Sequence, residues 1–174
     1  MKLQRHAQQG VAFVALLTLI GVMVAVSVAA ARLRNAAETG AQVERLRDDL
    51  LQQVRLIQAK LVDCMVNFPG GDNGTGHRVA YPAAATTKAV TALTCPGAPA
   101  AQQALWGGTD AVMPPVEMVD FQPWQFTNDA TSMRLSITAR NSYAPTTAAM
   151  TNVALRLGTS ASINGTTLTV VLSH

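Results

Sequence analysis

Between Val11 and Ala31 lie 21 consecutive residues without a charge, nearly all of them apolar. At about 1.5 Å of rise per residue, a helix of that length crosses a hydrocarbon core of ~30 Å. Thr18, Gly21 and Ser27 do not prevent this, and no carboxylate lies anywhere in the run. The run also exceeds the roughly 7 to 15 apolar residues of a secretory signal, although Ala29-Ala30-Ala31 supplies the small-x-small pattern that signal peptidase reads. The rest of the 174 residues has room for one modest domain, which excludes a large multidomain enzyme.

Charge argues against a nucleic-acid partner. Removing residues 1–10 takes away Lys2 and Arg5 and leaves 11 basic against 10 acidic side chains. Six basic and five acidic residues fall between 32 and 63, and residues 64–174 carry five of each sign. No basic face is available to track phosphates, so no specific nucleic-acid site is expected. Cys64 and Cys95 make an even count in a chain whose N-terminus leads it into or across a membrane, which favours one disulfide in an oxidising compartment. Reactive thiols or a metal pair are the competing reading, weakened by the lack of Cys-x-x-Cys and by His77 being the one imidazole nearby.

The charges at the two ends of the run do not set its orientation, since Lys2 and Arg5 precede it and Arg32 and Arg34 follow it. The leader is more informative. Met1 to Gly10 is short and polar, and it ends in Gln8-Gln9-Gly10 directly against Val11-Ala12-Phe13-Val14-Ala15-Leu16-Leu17-Thr18-Leu19-Ile20-Gly21. This resembles a type IV prepilin, of the minor pilin or pseudopilin kind. The resemblance implies cleavage between Gly10 and Val11 by a prepilin peptidase, N-methylation of Val11, and retention of the apolar helix as membrane anchor and assembly interface, with Ala15, Leu16, Leu19 and Gly21 on it. It implies a single-pass protein of the bacterial inner membrane with its N-terminus cytoplasmic, passing to a periplasmic or cell-surface filament on assembly. Its implied partners are other pilins or pseudopilins through the helix, the peptidase, the inner-membrane assembly platform and membrane lipid.

Two positions depart from that family's pattern. The fifth residue after Gly10 is Ala15, where major pilins and most minor ones carry glutamate, and the first is Val11, where major pilins usually carry phenylalanine. The glutamate is thought to pair with the N-terminal ammonium of a neighbour. A subunit without it docks poorly beneath an existing one yet still presents its own amine to the next, which suits the filament tip or an initiation complex.

Beyond the run, Val43, Leu46, Leu50, Val54, Ile57 and Leu61 recur at helical steps, which predicts an amphipathic stem helix over 32–63 continuous with the first. Arg34 to Glu38 and Arg45 to Asp49 are spaced for i,i+4 pairs. Gly40 is a soft point, and a break there is the alternative. Pro69-Gly70-Gly71 then ends regular structure, and a disulfide from Cys64 to Cys95 would tie the Pro/Ala/Thr-rich stretch that follows to the stem.

Strand signals dominate later. Val116–Thr127 and Ser132–Asn141 predict a hairpin, with Pro123 interrupting the first strand or confining it to an edge. Residues 147–157 predict a helix capped by Gly158, with a strand nearly as plausible; Asn164-Gly165 predicts a type I′ turn, and Thr166–Leu172 a closing strand. The expected fold is α+β, a long N-terminal helix packed on a small antiparallel sheet, divided as leader 1–10, membrane helix 11–31, stem 32–63 and globular domain 64–174.

Catalytic chemistry has little to work with. His6, His77 and His174 sit in the leader, a glycine loop and the last position, and no phosphate loop, His-Glu-x-x-His helix or Gly-x-Ser-x-Gly elbow is present. No catalytic residue, cofactor or metal is expected; Asp72-Asn73-Gly74 lacks the spaced oxygens and closing glutamate of a calcium loop. Trp106, Phe121, Trp124 and Phe126 are read as core rather than as an adhesive surface. The competing reading of the whole chain is a membrane-anchored or secreted periplasmic binding module with no filament role.

Overall fold

The computed structural model describes residues 4–68, 87–95, 97–107, 112–129 and 132–173, with residues 4–15 and 173 as backbone alone. His77 and the Asp72-Asn73-Gly74 turn lie outside the described residues. The chain divides into two compact units, Met1–Gln42 and Val43–His174.

A single helix, α1, runs Gln4–Asn67, unbroken through Gly40. It ends just short of Pro69, whose ring disfavours helical geometry in the residue before it. From Val43 onward the stripe of apolar positions packs into the second unit: Leu50 and Ile57 are 0% exposed, and Val54, Leu61 and Cys64 are buried beside them. Each such side chain contributes about 1.5–3 kcal/mol on leaving water. The stem half of the helix is therefore part of the folded unit's core, not a separate rod.

Five antiparallel strands form the sheet against which this stripe packs: β1 (Lys88–Ala89), β2 (Gln125–Asn128), β3 (Met133–Thr138), β4 (Ala161–Asn164) and β5 (Thr167–Ser173), in spatial order β1-β2-β3-β5-β4. Period-two alternation puts Phe126, Leu135, Ile137, Leu168 and Val170 in the core, with Phe126 opposite Leu135 and Leu135 opposite Val170. The other face is polar, and Thr138 and Thr167 share a hydroxyl hydrogen bond across it at 2.9 Å. A second helix, α2 (Ala144–Leu157), buries Ala149, Met150 and Val153. Pro145 lies in its first turn, where no backbone donor is needed, and Gly158 caps it at φ 61° and ψ −130° while donating its N–H to the Ala154 carbonyl.

Four sequence expectations change. Of the two alternatives at Pro123, interruption holds: the first hairpin strand is Gln125–Asn128 rather than the whole of Val116–Thr127, because Pro123 removes a donor and splits the ladder. Upstream of it, residues 112–122 form an irregular strap joined to the end of β3, with Gln122 N–H donating to Thr138 O at 2.8 Å and Arg140 Nε to Phe121 O at 2.8 Å. Its partner strand ends at Thr138 rather than Asn141, and Ala139 makes only an isolated bridge with Phe121. The last turn is displaced by one residue: Asn164 pairs with Thr167 in the ladder, so the loop is Gly165-Thr166. Gly165, at φ 58°, takes the first central position, the place a type II′ turn reserves for glycine.

The fourth change concerns charge. Neither Arg34–Glu38 nor Arg45–Asp49 pairs; instead Arg47 lies between Glu44 and Asp48. An exposed i,i+4 pair contributes only a few tenths of a kcal/mol, too little to hold two long side chains against their own freedom. Hydrogen bonding to Asp48, helped by the nearby carboxylates, raises the Arg47 pKa above its ordinary value.

Candidate functional site

The first unit presents a long apolar surface that no described residue covers. Leu16 and Leu19 are 54% and 57% exposed, and Leu17, Ile20, Val22, Met23, Val24, Val26 and Val28 are likewise open to solvent around the whole helix. The stretch is long and apolar enough to cross a membrane. The hydroxyl of Ser27 donates to the Met23 carbonyl at 2.8 Å, so it needs no partner from outside the helix.

Gly10 and Val11 lie inside α1 as helical backbone, and so does Ala15. Gly21 has no atom within 4 Å of the place a Cβ would take. Ala25 and Ala29 follow Gly21 at steps of four, on the same face and exposed. Neither the length of the run nor the leader points to this face. The signal that finds them is the small-x-x-x-small spacing that lets helices approach closely in lipid.

At the far end of α1, Cys64 and Cys95 form the disulfide, with Cα atoms 5.8 Å apart. It ties the helix to a segment that pairs with itself through Leu105 N–H to Leu93 O at 3.2 Å and Cys95 N–H to Gln103 O at 2.6 Å. A recess of about 410 Å³ opens beside the bridge, lined by Lys60, Asp63, Asn67, Gln102 and Leu105 among others. Its polar groups are turned on one another: Lys60 pairs with Asp63 at 3.7 Å, and Asn67 donates to Asp63 at 2.9 Å. Among the described residues no cluster of three or more His, Cys, Asp or Glu is placed to hold a metal ion.

The four aromatics read as core are all buried. Trp106 Nε1 donates to the Val90 carbonyl at 2.7 Å and Trp124 Nε1 to Gln53 Oε1 at 2.7 Å, which satisfies each indole without water. Exposed apolar side chains on the second unit include Val119 on the strap and Leu155 on α2, while Met113 and Val116 of the strap border, with Leu56 and Met118, a groove of about 730 Å³. In comparisons with protein-family models, with curated proteins and with solved structures, nothing matches the chain.

Proposed function

We propose that the protein is a minor pilin or pseudopilin, a structural subunit of a type IV pilus or type II secretion filament that acts at the tip or in the initiation complex. The observation that carries this reading is a single unbroken helix with two characters. From Leu16 to Val28 it is apolar around the helix and covered by no described residue, and from Val43 onward it is built into the core of a small sheet unit. Exposed apolar surface of that extent must be covered by lipid or by protein, and a segment that can use either is suited to leaving a membrane for a filament. The Gly21-Ala25-Ala29 face supplies close approach for neighbouring helices.

Peptidase cleavage between Gly10 and Val11 fits as the first step. Glycine costs a helix interior about 1 kcal/mol relative to alanine, so the bond after Gly10 is a weak point at which helical backbone can be drawn out for hydrolysis. With Ala15 rather than a carboxylate in the apolar segment, the subunit has nothing with which to neutralise a buried N-terminal ammonium above it, which supports a terminal position. The experiment is recovery of the full chain from mechanically sheared filaments. The expected result is a small, peptidase-dependent share in the sheared fraction. Retention of all the chain in the membrane, with or without the peptidase, favours the anchored binding module instead.

A further inference from the structure

On the surface of the second unit, α1 and the last turn of α2 border a recess of about 210 Å³ lined by Asp48, Leu51, Gln52, Arg55 and Arg156. Its two arginines come from different helices, both are exposed, and neither makes an ion pair or hydrogen bond with any described residue. One oxygen of the lining's single carboxylate is engaged: Arg47 donates to Asp48 Oδ1 from Nε at 3.0 Å and from Nη2 at 2.8 Å. Leu51 is buried and gives the recess an apolar wall, against which charges interact more strongly than in open water.

Two like charges bordering one recess repel each other, and an anion between them replaces that repulsion with two charge-assisted contacts. The planar guanidinium fork matches the paired oxygens of a carboxylate or phosphate, and the Gln52 amide adds a neutral donor. A recess of about 210 Å³ admits one such group with part of its hydration. By contrast Arg32, Arg34 and Arg45, also exposed, do not line this recess.

We propose that this recess is an oxyanion-binding site, taking a single carboxylate or phosphate group between Arg55 and Arg156. The site stands on its own geometry and does not depend on the filament reading. The test uses the full chain in zwitterionic detergent micelles, at constant ionic strength. The arginine Nε–Hε resonances are followed in two titrations, one with N-acetylglutamate as the probe for an acidic side chain and one with inorganic phosphate.

Saturable shifts confined to Arg55 and Arg156 are expected, weakened at least tenfold by Arg55→Gln or Arg156→Gln. Arg156→Lys keeps the charge and loses the fork, so it should weaken binding by less. Saturation by N-acetylglutamate identifies a protein carboxylate as the ligand chemistry, and saturation by phosphate alone identifies a phosphate. Shifts that stay linear and move Arg32, Arg34 and Arg45 equally are general screening and overturn the proposal. Unchanged backbone spectra of the variants separate a lost site from a lost fold.

Discussion

The indole N–H of Trp124 donates to the side-chain oxygen of Gln53 at 2.7 Å, joining β-sheet and α1 across 71 residues of sequence. The same amide donates from Nε2 to the Val116 carbonyl at 2.9 Å, so one glutamine holds both the entry to β2 and the strap that leads to it. Gln53→Leu removes both bonds and leaves a buried indole donor unpaired. The expected loss is about 1–3 kcal/mol, read from the urea midpoint of the full chain in micelles by tryptophan fluorescence. An unchanged midpoint contradicts the clamp.

The disulfide closes the loop from Cys64 to Cys95, 31 positions apart. In the chain-entropy account a closed loop of that length stabilises by about 3–4 kcal/mol through the unfolded state. The Cys64→Ala/Cys95→Ala double variant should unfold at correspondingly lower denaturant, and reduction of the wild-type chain should reach the same midpoint. A variant as stable as the oxidised protein would remove the staple from the account.

Gly158 holds a backbone conformation, φ 61° with ψ −130°, that side chains other than hydrogen strongly disfavour. No atom lies within 4 Å of the place its Cβ would take, so Gly158→Ala tests backbone strain alone. The expected cost is about 1–3 kcal/mol in thermal or denaturant unfolding. A cost near zero would mean the α2 cap tolerates another geometry.

In the apolar half of α1, Leu19→Asp carries an insertion cost of ~2.5–3.5 kcal/mol on translocon-insertion scales. A segment this apolar absorbs that, whereas an unpaired charge between packed helices is not tolerated. Membrane fractionation should find the variant still inserted while its share in sheared filaments falls at least tenfold. The companion Ala15→Glu should change incorporation by supplying the absent carboxylate. Normal filament entry by Leu19→Asp would sink the packing argument.

The parts of this fold that were legible in sequence are those where one period dominates. Leu50, Val54, Ile57 and Leu61 step at 3.6 and Leu135 and Ile137 at 2, and both sets are buried. The sequence of Val116–Thr127 predicts one strand where the structure has a strap leading into β2. One cause, the missing donor of Pro123, is local and legible; the other is not, being the amide of Gln53, 63 residues away from Val116. β1 and β4 are two and four residues long, too short for a period, and they exist because β2 and β5 offer them edges. The last turn slipped by one residue because Asn-Gly favours a type I′ loop in isolation, while the register of β5, fixed by its buried Leu168 and Val170, sets which β4 residues pair with it. Of the candidate site, the apolar extent of the helix was plain; the oxyanion recess was not, since nothing in sequence brings Arg156 beside Arg55.

The central claim is that the chain matures at Val11 and keeps its apolar helix. The most direct measurement is the N-terminal sequence and intact mass of the protein from its native membrane, with and without the prepilin peptidase. The account predicts a chain beginning at N-methylated Val11 that reverts to Met1 when the peptidase is absent. A chain beginning at Arg32, or at Met1 under both conditions, would contradict it.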